Sequence, residues 1–556
     1  MKLRPYQQEA VAAIRREFSS VDSTLLVLPT GTGKTIVFAD VIRRAFPRRA
    51  LVLAHREELI FQAAEKIHRV TGFRCDVEMA GYRADMDGLL GGPQVVVSTI
   101  QTQTAGADGS GRMSRFDPAM FGLLVVDEGH HSTAKSYRRC LDYYRQNPAL
   151  KVLGVTATPD RADEEALGQV YESVAYDYEI LDAIHDGWLA PIEQQMVTVS
   201  GLDYSHVRTT AGDLNGADLA AVMEEEQALQ GIAAPTLELT QGRRTLVFAS
   251  SVAHAERLAE IFNRHKDSCA AWVCGKTDKE ERRKTLSAFA AGAIQYVVNV
   301  GVLTEGFDDP GVECIVMGRP TKSRSLYAQM IGRATRPLPG LVEGLEDAAE
   351  RRAAIAGSPK PGCLVVDFVG NAGRHKLMTT ADILGGKASD EAVAEAVAKA
   401  KASGKPVRMD EAIDLAETEL ADRRRQAAQR ARLRARARWT SAAVSPFDVF
   451  ALTPARERGW DSGRSLTDKQ RALLDRQGID PGALTYTQGR QLLTEIFRRW
   501  DAGLCSYKQA RVLRRNGYDG NVSREEASKI LDGIFGGRKH GNPNAMAAHE
   551  PLPAVP

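Results

Sequence analysis

A glycine-rich turn set directly after an apolar run constrains this chain more than any other feature. Leu25-Leu26-Val27-Leu28 reads as a buried strand, and Leu28-Pro29-Thr30-Gly31-Thr32-Gly33-Lys34-Thr35 continues from it without a break. Strand, glycine turn, then helix is the order a phosphate-cradling loop requires. Gly31 and Gly33 let backbone N–H groups crowd around phosphate oxygens, at the positive end of the helix that starts there. Thr30, Gly31, Thr32 and Gly33 then form the cradle, Lys34 reaches the β- and γ-phosphates, and the Thr35 hydroxyl ligates Mg2+. The strict pattern has glycine where Leu28 stands, so the loop is a variant.

A second apolar run, Leu123-Leu124-Val125-Val126, ends in Asp127-Glu128-Gly129-His130. Two carboxylates at a strand end suit two tasks. Asp127 holds the metal, and Glu128 orients or deprotonates the attacking water. Together the two stretches predict hydrolysis of a nucleoside triphosphate. His130 and His131 invite a metal reading of their own, but no Cys or His cluster joins them in the sequence.

The fold class follows from rhythm. Short β-rich runs at 25–28, 50–54, 95–98, 123–126 and 152–155 alternate with helical patterns. That is the βαβ alternation of a parallel sheet covered on both faces. A second series runs through Thr245-Leu246-Val247-Phe248, Ala271-Trp272-Val273, Tyr296-Val297-Val298, Cys314-Ile315-Val316-Met317 and Cys363-Leu364-Val365-Val366. The expectation is α/β, with two tandem doubly wound parallel-sheet domains. The first spans 1–195, the second 236–385, and 196–235 connects them with an acidic helix near Glu224-Glu225-Glu226. Only the first carries a phosphate loop.

Beyond about 385 the strands are expected to stop. Residues 386–445 read as a basic helical linker. It holds Arg423-Arg424-Arg425 and then Arg430, Arg432, Arg434, Arg436 and Arg438. Spacing by two spreads the last five around most of a helix, leaving no apolar stripe to dock. They are either a solvated linker or contacts to nucleic-acid phosphates. Residues 446–540 show a weak repeat. Thr467-Asp468-Lys469-Gln470 with Leu474 and Gly478 matches Ser506-Tyr507-Lys508-Gln509 with Leu513 and Gly517. Two copies of a small helical unit are the simplest reading, either a structural cap or a module for nucleic acid or for repair or replication proteins. The tail at 541–556 reads as disordered.

Composition narrows the class. Hydrophobic residues at 43% and charged residues at 26% are those of a soluble globular chain. No run reaches the roughly eighteen apolar residues of a membrane span, and the start is not a signal peptide. Seven cysteines, none in a Cys-x-x-Cys pair, support neither a zinc ribbon nor a disulfide framework. The expected location is the cytoplasm, with no membrane partner and no zinc.

In its motif series over residues 1–337 the chain resembles the superfamily 2 helicases of DEAD/DEAH type, which implies RecA-like domains, ATP with Mg2+, and a nucleic-acid track. Leu3-Arg4-Pro5-Tyr6-Gln7 resembles the adenine-reading motif, which implies that Gln7 bonds the base and Arg4 stacks on it. His55-Arg56-Glu57-Glu58 resembles motif Ia, and Ser98-Thr99-Ile100-Gln101 resembles Ib. Thr156-Ala157-Thr158-Pro159 resembles motif III, and Phe248-Ala249-Ser250 resembles motif IV. Thr304-Glu305-Gly306-Phe307-Asp308 resembles motif V, and Gln329-Met330-Ile331-Gly332-Arg333-Ala334-Thr335-Arg336 resembles motif VI. The resemblance implies nucleotide contacts from Gly306 and Asp308 and a catalytic part for Gln329. It also implies nucleic-acid contacts from Arg56, Thr99, Gln101, Ser250 and Thr304, although such hydroxyl residues also cap helices routinely.

Arg333 and Arg336, three apart, are expected to share a helix face and to serve as arginine fingers delivered by the second domain. Within the superfamily, Gly201-Leu202-Asp203-Tyr204, Ala211-Gly212-Asp213-Leu214-Asn215 and Val366-Asp367-Phe368-Val369-Gly370-Asn371 resemble RadD-type repair helicases and related phage helicases. The implied function is an ATP-dependent DNA helicase or translocase in repair, recombination or replication, with DNA single-stranded, duplex or branched as partner. An RNA helicase and the motor subunit of a restriction or defence complex remain as alternatives.

Overall fold

The apolar runs of the first 180 residues build one parallel sheet in the computed structural model. The structure describes residues 3–55, 57–87, 92–105, 111–157, 166–210, 212–304, 306–372, 375–435, 445–457, 459–461 and 463–536. Its strands are β1 Ser23–Val27, β2 Arg49–Ala54, β3 Cys75–Glu78, β4 Val95–Thr99, β5 Phe121–Asp127, β6 Lys151–Thr156 and β7 Ser173–Asp177. They lie in the order β3-β4-β2-β5-β6-β1-β7, every pairing parallel. β1 and β4 are buried along their whole length, as continuous apolar strands covered on both faces must be. β3 and β7 carry Cys-Asp-Val-Glu and Ser-Val-Ala-Tyr-Asp. Neither shows an apolar run, so neither was expected.

The strand order creates the site. β5, β6 and β1 are neighbours, with Asp127 opposite Val155 and Val27 opposite Thr156. The loops that leave these strands at Leu28, Glu128 and Ala157 therefore open on one edge, outside the carboxyl ends of the sheet, where α/β folds bind ligands. Helix α1 (Pro5–Glu17) packs on β1 and β7, α2 (Lys34–Ala45) on β5, and α3 (Glu57–Thr71) on β2, β3 and β4.

The second sheet is larger than its apolar runs suggest. β8 Ile192–Asp203 precedes a small hairpin, β9 Thr209–Thr210 and β10 Asp213–Leu214. β11 Thr245–Phe248, β12 Ala270–Cys274, β13 Tyr296–Val300, β14 Cys314–Met317, β15 Cys363–Asn371 and β16 Val407–Arg408 follow. The order is β12-β13-β11-β14-β15-β8-β16. Residues 196–235 are thus not a free connector. β8 pairs in parallel with β15, Ile192 opposite Cys363, and the helix Glu226–Leu239 buries Leu229 and Ile232 in the same core as Val199 and Leu202. β8 escapes an apolar count because Gln194 and Gln195 are buried in it. The acidic triplet marks a junction between two helices, Gly216–Met223 and Glu226–Leu239, rather than the middle of one.

Strands also continue past 385. β16 pairs antiparallel with β8 between two helices, Asp390–Ser403 and Met409–Ala435, so the linker begins as part of the core. Met409, Ala412, Ile413 and Ala416 are buried there. The side chains of Arg430, Arg432 and Arg434, and Arg436 and Arg438 entirely, lie outside the described residues, as does the tail 541–556.

Both sheets belong to one compact unit, Met1–Glu417, and Thr418–Pro556 form another. In the second unit the two repeat copies take the same local structure. Helices Asp468–Gln477 and Tyr507–Arg515 each start in a capping box, Thr467 with Gln470 and Ser506 with Gln509. Leu474 and Leu513 are fully buried in one core with Leu492, Ile496 and Phe447. Gly478 and Gly517 follow the two helices at φ of 80° and 88°, a conformation that costs glycine little. No described helix is long and apolar enough to cross a membrane.

Candidate nucleotide cleft between the two sheets

The phosphate loop is held from below before any ligand is considered. Leu28 N–H donates to the Thr156 carbonyl at 2.9 Å, and the Thr32 hydroxyl donates to the Pro29 carbonyl at 2.7 Å. Gly31 and Gly33 have φ of 88° and 84°, a backbone only glycine takes without strain, and α2 begins at Lys34. From α1, the Tyr6 hydroxyl and the Gln7 side-chain amide both donate to the Thr32 carbonyl, at 2.6 and 2.9 Å. Gln7 therefore grips the loop here, and its carbonyl accepts from Arg4 N–H at 3.0 Å. Arg4 lies 4.5 Å over the Trp188 ring and pairs with Glu343 at 3.2 Å. The expected roles of Gln7 and Arg4 on the adenine would each exchange one of these contacts. Trp188, which no motif signals, carries Arg351 at 4.0 Å as well.

Lys34 Nζ lies 3.0 Å from Glu128 Oε1, both side chains mostly buried. Glu128 leaves β5 with φ of 51°, which turns its carboxylate back toward α2, and its N–H donates to Asp127 Oδ1 at 3.0 Å. Burial alone would raise the Glu128 carboxyl; the charges of Lys34 and His130 outweigh it and hold it at about 2. Glu128 Oε2 is buried without a hydrogen bond, 3.5 Å from His130 Nδ1. His130 Nδ1 also bonds the Thr156 hydroxyl at 3.1 Å, which ties the acidic stretch to the end of β6. Burial pushes the His130 imidazole down, against the pull of Glu128. His55 stacks on His131 at 4.5 Å, extending this line toward α3; Arg56 lies outside the described residues.

The second sheet closes the cleft. Arg336 crosses Gly31 so closely that a Cβ there would come 2.9 Å from Arg336 Cγ, and Gly332 sits against Thr30, where a Cβ would meet Thr30 Cβ at 2.8 Å. Ala190 N–H donates to the Thr335 carbonyl at 2.6 Å. Arg336 is ion-paired with Asp308. Gln329 is buried in the helix Arg324–Ile331. Gly306, at φ of 74°, offers its carbonyl to Gln62 of α3 at 3.5 Å.

Arg333 is held differently from Arg336. Its guanidinium donates to the Thr304 carbonyl, at 3.1 Å from Nε, and to the Phe307 carbonyl at 2.6 Å. The helix stops at Ile331 with Gly332 as its cap, so a spacing of three no longer places the two arginines on one face. Arg333 ties the Thr304 and Phe307 carbonyls together instead. Thr304 is buried, and Thr99 is buried with its hydroxyl capping the helix Ile100–Thr104 by accepting from Thr102 N–H at 3.1 Å. Neither side chain lies on an open surface for nucleic acid. Gln101 is exposed, and the Ser250 hydroxyl bonds His254 Nδ1 at 2.9 Å.

The donor set fits Mg-ATP. Thr35 and Asp127 carry the hydroxyl and carboxylate oxygens that Mg2+ prefers, two left-handed glycines curl the loop main chain, and Glu128 Oε2 is buried without a donor.

Residues 1–161 match the family described as "Type III restriction enzyme, res subunit", and residues 226–337 match the "Helicase conserved C-terminal domain". The two matches together support a superfamily 2 helicase. Among its relatives, the "Putative ATP-dependent helicase IRC3" of Saccharomyces cerevisiae is 33% identical over 60% of this chain and 49% of its own length. The "Putative DNA 3'-5' helicase Rad25" of Halobacterium salinarum is 29% identical over 61% and 52%. The "Type I restriction enzyme EcoAI endonuclease subunit" of Escherichia coli is 26% identical over 60% and 44%. The chain spans about half the length of these relatives. Both family matches end before the helical second unit begins.

Proposed function

We propose that this chain is a superfamily 2 helicase working as an ATP-driven DNA motor, with ATP and Mg2+ held by Thr30 to Thr35 and Asp127 and hydrolysed at the cleft. The observation that carries the reading is the meeting of Lys34, Glu128 and Arg336, from two sheets, around one glycine loop. Bound Mg2+ would neutralise phosphate charge, with Thr35 and Asp127 as its protein ligands. Lys34 exchanges its contact with Glu128 for phosphate oxygens. Glu128, released, accepts a proton from the attacking water. Arg336 exchanges Asp308 for the charge developing on the transferred phosphoryl group. ATP then favours the closed cleft and product release the open one. Closure would shift the Gly306 segment against α3, where Gln62 bonds it, and that relative movement would be the stroke of a motor.

DNA is preferred over RNA because a relative is named as a DNA helicase and the motif at 329–336, Gln-Met-Ile-Gly-Arg-Ala-Thr-Arg, lacks the His-Arg-x-Gly-Arg form of the common RNA helicase group. A role in repair or recombination, in the manner of RadD-type helicases, rests on the segments at 201–204, 211–215 and 366–371. The second reading, the motor of a restriction assembly whose partners cut, is favoured by the match of residues 1–161. The test is ATP turnover measured in parallel with single-stranded, duplex and branched DNA and with RNA. Stimulation by DNA supports the reading, and stimulation by RNA alone overturns it.

A further inference from the structure

Lys360 lies outside every recognised motif, three residues before β15. It is only 2% exposed. Its ammonium donates to two backbone carbonyls, Pro310 and Arg336, each at 2.7 Å. Pro310 closes the turn that carries Gly306 and Asp308, and Arg336 is the arginine laid over Gly31. One buried cation thus fastens the backbone at Arg336 to the backbone of the segment that carries its ion-pair partner, Asp308. The turn beneath it is fixed, with Lys360 N–H on the Ser358 hydroxyl at 3.1 Å.

A buried ammonium is costly to hold, and an apolar side chain of similar shape would fill the space at less expense. What the apolar side chain would lack is a donor for two carbonyls at once. We infer that Lys360 is a positioning residue for ATP turnover, setting the main chain at Arg336 so that its guanidinium reaches the phosphate loop. This rests on the proposed ATPase function of the cleft. An arginine finger is sensitive to such support, since a misplacement of about 1 Å costs on the order of a hundredfold in rate.

The charge on Lys360 is also poised to change. Burial pulls the amine down to about 8; Cys363 of β15 and Glu313 and Asp309 from the turn before β14 oppose this, and Arg244 beside β11 adds to it. As pH rises through about 8 the ammonium becomes an amine, a weaker donor to both carbonyls. Turnover should decline over that range for this reason.

The test uses the full chain with saturating ATP, Mg2+ and the most stimulating nucleic acid. Lys360→Met should lower kcat on the order of 10- to 100-fold while KM for ATP stays within about threefold, the pattern of an interaction made in the transition state. In an Arg336→Ala background the same substitution should change kcat less than about twofold, because it acts through that arginine. Lys360→Arg, whose guanidinium stays charged, should recover part of kcat and abolish the decline above pH 8. If Lys360→Met fails to fold, the pH profile of Lys360→Arg decides alone. A wild-type kcat in Lys360→Met, an equal loss in the Arg336→Ala background, or an unchanged alkaline decline in Lys360→Arg would overturn the inference while leaving the ATPase reading standing. A wild-type chain that turns over no ATP overturns both.

Discussion

Lys34 and Glu128 neutralise each other at 3.0 Å inside the cleft, although their proposed tasks lie on different groups, phosphate and water. The pair is therefore a resting contact that the substrate must break. Lys34→Ala and Glu128→Gln should each lower turnover at least about a hundredfold, with Glu128→Gln still binding ATP in an equilibrium assay. Breaking one side of a mostly buried pair costs about 3–5 kcal/mol, so the Lys34→Met/Glu128→Gln double variant should melt above the sum of the two single losses. The Glu128 carboxyl is depressed in the fold. Its contribution is therefore present above the ordinary carboxylate value of about 4.3 and lost as pH falls toward 2. Additive losses in thermal denaturation would show that the contact carries no coupling.

Gly332 faces Thr30 with normal helical backbone, so only the contact forbids a larger residue. Gly332→Ala should force the two segments apart, lowering kcat at least about tenfold through misplacement and stability by only about 1–3 kcal/mol. Steady-state ATPase and thermal melting check this. Wild-type turnover would mean that the Thr30 contact is not used.

Arg333 is expected to behave differently from Arg336. Arg333→Ala leaves the Thr304 and Phe307 carbonyls short of a donor, at about 1–3 kcal/mol, and should speed amide hydrogen exchange at Leu303, Thr304, Gly306, Phe307 and Asp308. Arg333→Lys should not restore protection, because a single ammonium lacks the planar fork that spans both carbonyls. Exchange unchanged in Arg333→Ala contradicts this assignment.

The arginines at 430, 432, 434, 436 and 438 are tested through salt dependence. Changing all five to Gln should weaken DNA binding across sequences and flatten the slope of log K against log salt by about two to four, given about 0.9 per phosphate contact. ATP turnover without DNA should stay unchanged. Unaltered affinity and slope would mark the segment as a solvated linker.

The edge that carries the glycine loop was legible because strand, loop and helix come in fixed order there. Leu25–Leu28 and Leu123–Val126 are buried runs, and the chemistry begins at the next residue. The second sheet was only partly legible: β8 hides behind the buried Gln194 and Gln195, and Gln194 is matched there by a hydrogen bond to Asp367, a long-range pairing that no local pattern announces. The arginines show the same limit. Their spacing of three holds meaning only inside a helix, and the helix ends one residue before Gly332. Lys360 carries no signal at all, since its acceptors are backbone carbonyls 24 and 50 residues away.

The most direct test of the central claim, that the catalytic site is completed across the cleft, is the turnover of Arg336→Ala at saturating ATP and DNA, measured beside its equilibrium affinity for ATP. Arg336 lies against Gly31 of the other domain, so its loss should cost roughly a thousandfold in kcat, the scale of an arginine finger, with a far smaller change in nucleotide affinity. A kcat within about tenfold of wild type would contradict the account and return the whole reaction to the first domain.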